Sequence, residues 1–165
     1  MAKPQEATPT SPAKNIPEPV MPAAAKKNTA EGLEAFTRYW FEVHNYAQKT
    51  GDTKQMMALC VEESAFCDHR KESVDQFTER NAWMIDGDTI ISTYFSDQSE
   101  TPAGYKVSIV EIDQEGRKVY NSDGPIVEAN LKSTSGAFES YSIWRDGGWR
   151  FLAIDPIDGV EYEQR

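Results

Sequence analysis

Two cysteines are the residues of this chain whose types and spacing point most directly to chemistry. Cys60 and Cys67 are the only cysteines, and Asp68 and His69 follow the second one directly. Such a set could form a disulfide, ligate zinc or exchange thiols with another protein. Zinc ligation fits poorly, because three consecutive side chains at a helix start point about 100° apart. A redox pair fits poorly, because it normally has the spacing Cys-x-x-Cys.

A structural disulfide is therefore the favoured interpretation of the pair, with two free buried thiols as an alternative. Residues 62–64 lie between the cysteines and allow the chain to turn back. Closing this eight-residue loop would stabilise the fold by about 2.5 kcal/mol through chain entropy. Because disulfides persist in oxidising compartments, this interpretation predicts an extracytoplasmic location, in the cell envelope or secreted.

Carboxyl, phenol and imidazole groups form a second set of residues that could do chemistry. A carboxylate in a pocket, beside a phenol, could be the general base of a small-molecule isomerase or dehydratase that needs no cofactor. In a chain with 27 acidic residues, however, a carboxylate near any cavity is expected by chance. We expect His44 to lie at the boundary of an apolar helix stripe and His69 to be exposed. The other candidates are Glu111, Glu128, Glu139, Asp155, Tyr39, Tyr94 and Tyr141.

Sequence motifs and net charge exclude several functional classes. The chain has neither a Gly-rich phosphate loop nor an HExxH motif, so we predict no catalytic residues, no metal site and no cofactor. The net charge is -10, and residues 1–28 carry a surplus of two positive charges, so the remaining body carries -12. Such a body repels nucleic acid and anionic lipid. No apolar run approaches the roughly 18 residues that span a bilayer, so we expect membrane attachment only through a lipid anchor not present in this sequence.

The elements that must position these groups begin after a proline-rich leader. Residues 1–28 contain six prolines among Ala, Thr and Lys, with few side chains to bury. This composition predicts a disordered tether. We expect the folded domain to cover residues 29–160 and a short tail to cover residues 161–165.

Three helices are predicted in the first half of the chain. The first begins at the capping-box residues 28–31 and ends at Gly51. A short second helix starts at Asp52 and leads into the cysteine segment. The third is predicted over residues 68–85 and ends at Gly87, with Val74, Phe77, Asn81 and Met84 in step. The apolar stripe of the first helix consists of Leu33, Phe36, Trp40, Val43 and Ala47.

Antiparallel strands are predicted after Gly87. Asp146 and Gly147 favour a tight hairpin turn, which places Trp144 opposite Trp149. We expect Phe138, Phe151 and Ala153 on the side that faces the helices. The opposite face carries Tyr141, Ile143, Leu152 and Ile154 and is therefore also partly apolar. The predicted strands cover residues 89–95, 105–112, 118–120, 126–131, 138–144 and 149–154.

This order of elements resembles a known fold and a known family. Together with the closing stretch YSIWRDGGWRFLAIDPID, it resembles the nuclear transport factor 2-like cone, also called SnoaL-like or cystatin-like. The stretch EGLEAFTRYWFEVHNYAQKTGDTKQMMALC, followed by Cys67, resembles a family of small actinobacterial lipoproteins of unknown function. Its RYW helix, its NYA and TGD turn and its two cysteines carry the resemblance over residues 30–158. The resemblance implies an exported, lipid-anchored protein with a proline-rich tether.

The sequence thus predicts an α+β domain whose N-terminal helices pack in the concave face of a curved antiparallel sheet. We expect an extracytoplasmic binding or interaction module, with a cofactor-free isomerase or dehydratase as the alternative. An unknown protein or a small apolar ligand is the expected partner, and two copies are expected to pair through the outer face of the last hairpin. The residues expected to line the core or a cavity are Trp40, Phe36, Phe138, Trp144, Trp149 and Phe151.

Overall fold

The computed structural model of the chain describes residues 2–157 and the backbone of residues 163–164. The other residues near the C-terminus, including most of the predicted tail 161–165, lie outside the described part. The described chain is an α+β domain in which helices pack against antiparallel sheets, as the sequence predicted. Within that part, no helix is both long enough and apolar enough to span a membrane.

Helix α1 (Ala30–Thr50) begins and ends close to the predicted positions. The Thr29 hydroxyl caps it by accepting a hydrogen bond from the Gly32 amide at 2.9 Å. Gly51 ends it in the left-handed conformation that favours glycine, with φ 78°. The capping box predicted over residues 28–31 does not form, because the cap is Thr29 and the third residue after it, Gly32, has no side chain to bond back. The short helix α2 (Lys54–Ala58) follows.

Helix α3 (Ala65–Glu79) ends six residues earlier than predicted, and the end of its predicted range is a strand. Asn81 adopts a left-handed conformation, with φ 49°, and the Ala82 amide donates back to the Phe77 carbonyl at 2.8 Å. This is the pattern in which asparagine or glycine ends a helix. The predicted stripe counted Asn81 and Met84 as helical, but Met84 lies in strand β1 (Trp83–Asp86).

The strands that follow β1 are β2 (Thr89–Phe95), β3 (Lys106–Gln114), β4 (Arg117–Asn121), β5 (Gly124–Pro125), β6 (Thr134–Arg145), β7 (Gly148–Pro156) and β8 (Glu163–Gln164), which pairs with β6. The main sheet has the strand order β2–β3–β6–β7, with all neighbours antiparallel. A separate small sheet has the order β1–β4–β5. The predicted strand over residues 126–131 is wrong, because Val127–Ala129 forms a 3-10 turn instead.

The β6–β7 hairpin has the predicted turn, but one bulge changes which side chains face the helices. Asp146 and Gly147 both have positive φ, and Trp144 pairs with Trp149. The register shifts beyond Phe151, so that Ala153 pairs with Tyr141 and Ile154 moves to the core face. The predicted faces are therefore correct up to Phe151 and reversed after it.

Part of the predicted tether packs against the domain. Ala25 is buried within a 3-10 turn, Ala23–Lys26. The Lys27 carbonyl accepts a hydrogen bond from the Trp149 indole at 2.9 Å, and the Pro19 carbonyl accepts one from the Tyr39 hydroxyl at 3.3 Å. The predicted tether therefore contacts the domain at Pro19 and Lys27. Composition missed these contacts because backbone carbonyls and a small alanine make most of them, with Met21 as the large apolar side chain that packs against the core.

The two cysteines form a disulfide between the end of α2 and the start of α3. The segment between the helices runs along the outer edge of β7. The Val61 amide donates to the Phe151 carbonyl at 2.9 Å, and the Phe151 amide donates to the Leu59 carbonyl at 2.8 Å. The Ser64 hydroxyl donates to the Leu152 carbonyl at 2.6 Å. The cross-linked segment therefore covers an edge that would otherwise expose unpaired backbone groups.

Removal of the disulfide should destabilise the domain without changing its fold. We expect the Cys60→Ser/Cys67→Ser variant to lose about 2.5 kcal/mol of unfolding free energy, because its unfolded chain is no longer cross-linked. Urea unfolding followed by circular dichroism measures this loss, and the reduced wild-type protein is the matched control. A loss below about 1 kcal/mol would contradict a stabilising role for the cross-link.

Candidate functional site

The space between α1 and the main sheet is filled by aromatic side chains. The Trp40 ring stacks on the Phe151 ring, with centroids 4.0 Å apart and planes at 15°. Trp149 is buried and meets Trp144 edge-on at 5.5 Å. Phe36 is fully buried, whereas Phe138 and Trp144 pack against the margin of the same cluster. The six residues predicted to line a core or a cavity therefore belong to one packed cluster.

A row of buried hydroxyl groups crosses the inner face of the sheet beside this cluster. Ser108 and Ser140 are paired across β3 and β6, and Ser142 follows on β6. The Tyr94 and Ser108 hydroxyls lie 2.8 Å apart. The Ser140 and Ser142 hydroxyls and the Trp40 indole N–H have no hydrogen-bond partner within the described part of the chain. Buried polar groups are normally hydrogen-bonded. These three groups could therefore still form hydrogen bonds inside the domain.

His44 lies in the interior, deeper than the predicted boundary position. Its ring stacks on Trp40 at 5.5 Å, and the Gln48 side-chain nitrogen lies 3.0 Å from Nδ1. Burial, together with the nearby Arg70 charge, lowers the pKa of His44 to about 3. A neutral imidazole with this pKa is a poor general base at neutral pH. His69 is exposed, as predicted, and lies 3.6 Å from Glu72.

Three of the four candidate acids lie together on the outer face of the main sheet. Glu139 on β6 is paired with Ile109 on β3 and with Asp155 on β7, and Glu111 is two residues from Ile109. Because side chains alternate along strands, these four side chains project from one face. The fourth acid, Glu128, lies elsewhere, 3.6 Å from Arg80.

Tyr141 joins this outer group, whereas the other candidate phenols do not. The Tyr141 hydroxyl donates a short hydrogen bond to the Glu139 carboxylate. That bond, with burial and the Asp155 charge, raises the pKa of Tyr141 to about 12, so the phenol stays protonated at neutral pH. Tyr94 points to the inner row of hydroxyls, and Tyr39 contacts Gln55 next to the leader.

The outer face combines acidic and apolar side chains and is open to solvent. Phe95 is 58% exposed, and its register partner Ile109 is 41% exposed. Val107, paired with Tyr141, extends the apolar area, and Ile143 follows on β6. Helix α1 packs on the other face of the sheet, through Trp40 and Phe151. We refer to Phe95, Val107, Ile109, Glu111, Glu139, Tyr141, Ile143 and Asp155 as the outer patch.

The predicted acids lie on the solvent side of the main sheet, away from the aromatic core. An isomerase base would need a carboxylate beside an enclosed pocket, and Glu111, Glu139 and Asp155 do not have that position. An open face with charges and apolar groups suits contact with another macromolecule. Sequence reasoning named most of these residues but did not group them, because the register that aligns Glu139 with Ile109 and Asp155 cannot be read from one strand.

Comparisons with known proteins agree with this picture of the fold. The model of a family of unknown function, DUF6318, matches residues 3–155. The chain belongs to this family. Its match includes most of the leader, in line with the contacts of Ala25 and Lys27. The actinobacterial and lipoprotein character implied by the resemblance stays a prediction.

A solved structure supports the fold assignment. The crystal structure of the intermembrane space region of the chloroplast protein ARC6 is similar, with a TM-score of 0.52 and 12% sequence identity. The similarity covers 79% of this chain and 98% of that one. At this level of identity it concerns the fold alone, and the nuclear transport factor 2-like assignment stays a prediction. No curated protein matches the chain.

The buried neutral His44 should make the domain sensitive to mild acid. In the unfolded chain the imidazole binds a proton below pH about 6.5, whereas in the folded chain it does so only below about 3. The neutral imidazole is therefore compatible with the folded state at no cost above pH about 6.5, and the folded state loses stability as the pH falls below that value. We expect a loss of about 2 kcal/mol between pH 7 and pH 5.

Two variants separate this effect from the titration of other groups. His44→Phe should remove the acid-dependent loss, because the unfolded chain no longer gains that proton. His69→Gln should leave it unchanged, because the His69 side chain is 79% exposed. Urea unfolding of both variants at pH 7 and pH 5 measures the difference. An equal loss in wild type and His44→Phe would show that His44 is not the responsible group.

Proposed function

We propose that this chain is a non-catalytic, extracytoplasmic binding module whose docking surface is the outer patch. The observation that carries the proposal is the position of three carboxylates, two exposed and one (Glu139) half-buried, beside exposed apolar side chains on one open sheet face. The partner that fits is a polypeptide surface that presents Lys or Arg next to aliphatic side chains. The body charge of -12 adds long-range attraction for such a partner.

Apolar contact and charge have different parts in this docking. Burial of Phe95 and Ile109 would supply most of the affinity, because apolar area removed from water is favourable. The carboxylates of Glu111, Glu139 and Asp155 would orient the partner and speed its approach. Tyr141 supports this role, since its hydrogen bond holds the Glu139 carboxylate against the sheet.

A second copy of the chain is a poor partner for the outer patch. Face-to-face pairing of two copies would bring two rows of carboxylates together, and like charges across an interface are unfavourable. Pairing of two copies through the outer face of the last hairpin stays a prediction, and the binding experiment below distinguishes it from peptide docking.

The disulfide supports the proposed location. Cys60 and Cys67 are both buried, and the segment between them pairs with β7. Structural disulfides persist in oxidising compartments and are rare in the cytosol. Lipid anchoring, implied by the family resemblance, stays a prediction.

The location can be tested on protein isolated from its native source. We expect intact mass after alkylation without reductant to show no modified cysteine, and two modified cysteines after reduction. Two alkylated thiols without reductant, in protein kept denatured at acid pH until alkylation, would contradict an oxidising compartment.

The docking surface can be tested with defined peptides. We expect an amphipathic leucine–lysine peptide to bind, and a leucine–glutamate peptide of equal length not to bind, in fluorescence anisotropy. Glu111→Gln/Glu139→Gln should weaken binding roughly tenfold, because two exposed charge contacts are worth about 0.7 kcal/mol each. Added salt should weaken the wild-type complex in the same direction.

A matched variant controls for net charge. Glu72→Gln/Glu128→Gln removes two exposed carboxylates away from the outer patch and should bind the lysine peptide within about twofold of wild type. Equal weakening by both double variants would mean that only the overall charge attracts the peptide. Self-association of the wild type that competes with the peptide would instead favour pairing of two copies through this face.

A further inference from the structure

Strand β2 is an edge strand of unusual composition for this chain. It forms one end of the main sheet, and within the described residues its only sheet neighbour is β3. Its sequence, TIISTYF, contains no charged residue, although 27% of the residues in the chain are charged. Natural proteins usually protect such edges with charges, proline, a β-bulge or a covering element, and β2 has one bulge, between Ile91 and Thr93.

The first half of this edge is protected by side chains of α1. The Asn45 side chain accepts from the Thr89 amide and donates to the Thr89 carbonyl, both at 2.9 Å. The Arg38 guanidinium donates to the Ile91 carbonyl at 3.1 Å. These two residues take the place of a neighbouring strand from Thr89 to Ile91.

The second half of the edge, residues 92–95, has no such cover. Within the described part of the chain, no strand or bridge pairs with these residues on the side away from β3. Thr93 and Phe95 are exposed, and Phe95 is one of the most exposed large apolar residues of the fold. An uncharged edge with an aromatic residue at its end is a template for strand pairing.

We propose that residues 93–95 pair, antiparallel, with the same residues of a second copy of this chain. A two-fold pairing covers the open half-edges of both copies at once, whereas a foreign strand would still have an open edge of its own. The segment carries no charge, so the two copies can approach there despite their net charge of -10. This interface uses the backbone edge of β2 and shares one residue, Phe95, with the outer patch, but it does not depend on the proposed function.

The register follows from the faces of β2. Thr93 and Phe95 project from the outer face, since they pair with Glu111 and Ile109. Tyr94 projects inward, where its hydroxyl meets Ser108. Directly opposed residues of an antiparallel pair share a face. A two-fold centred on Tyr94 satisfies this rule, because it places Thr93 of each copy opposite Phe95 of the other.

This register identifies an informative variant. Thr93→Lys/Phe95→Lys places lysines directly opposite each other twice across the two-fold and removes the Phe95 contacts. The matched control is Val127→Lys/Leu131→Lys, which adds the same charge at two exposed apolar residues away from the edge, 67% and 52% exposed. Circular dichroism and thermal unfolding establish that both variants are folded.

Sedimentation equilibrium from about 10 μM to about 1 mM, which covers weak dimers, measures the self-association. We expect wild type and the control to approach twice the 18.6 kDa monomer mass, and the edge variant to stay monomeric. A wild type that is monomeric at the highest concentration, or an edge variant that dimerises as well as wild type, would overturn the proposal.

Hydrogen exchange of the wild type gives an independent readout if the edge variant fails to fold. Mass spectrometry should show slower amide exchange in residues 93–95 at the high concentration than at the low one. Exchange around the turn at Asp146 and Gly147 should be the same at both. Concentration-independent exchange in residues 93–95, or protection at the hairpin instead, would contradict pairing at this edge.

Discussion

The stacking of Trp40 on Phe151 is the contact around which the rest of the molecule is arranged. It joins the long helix to the last strand of the main sheet at the centre of the core. The backbone of Phe151 pairs with Leu59 and Val61, so the same residue also fixes the cross-linked segment. The disulfide then sets the start of α3, where Ser64 caps the helix and contacts the Leu152 carbonyl. Helix, sheet and disulfide therefore share one point of attachment.

An aromatic cluster packs between α1 and the main sheet, and the buried His44 is held neutral beside it. The carboxylates of the outer patch occupy the opposite face of the sheet, where water and partners reach them. Within the described residues, the main sheet therefore has an open face and an open half-edge, and the two meet at Phe95.

The sequence was sufficient where local rules decide the structure. Thr29 and Gly51 mark the ends of α1, and Asp146 with Gly147 sets the pairing of Trp144 with Trp149. The sequence was insufficient where a single residue decides whether a helix continues, or where pairing with a distant strand decides which face a side chain lies on. Asn81 fits a helical stripe equally well as a member or as its end. The bulge beyond Phe151 depends on pairing with a distant strand, so alternation alone assigns Ala153 and Ile154 to the wrong faces.

Composition also misjudged the leader for a physical reason. A segment poor in large apolar side chains can still bind a fold through its carbonyls, as the Lys27 contact with Trp149 shows. Close approach at this point also needs a glycine, because a Cβ on Gly32 would lie 2.0 Å from the Lys27 carbonyl oxygen. The grouping of the acids in the outer patch was likewise hidden, since it follows from the register of β3, β6 and β7.

The segment that runs along β7 decides how many edges of the main sheet are available for association. With the disulfide intact, that segment occupies the β7 edge at Phe151 and Leu152, whereas residues 93–95 of β2 are open within the described part of the chain. A domain with one open edge can form dimers but nothing larger. If reduction lets the segment detach, each domain gains a second open edge, and assembly into chains of many subunits becomes geometrically possible. The disulfide thus limits the number of other copies that each domain can pair with, as well as the tendency of the domain to unfold.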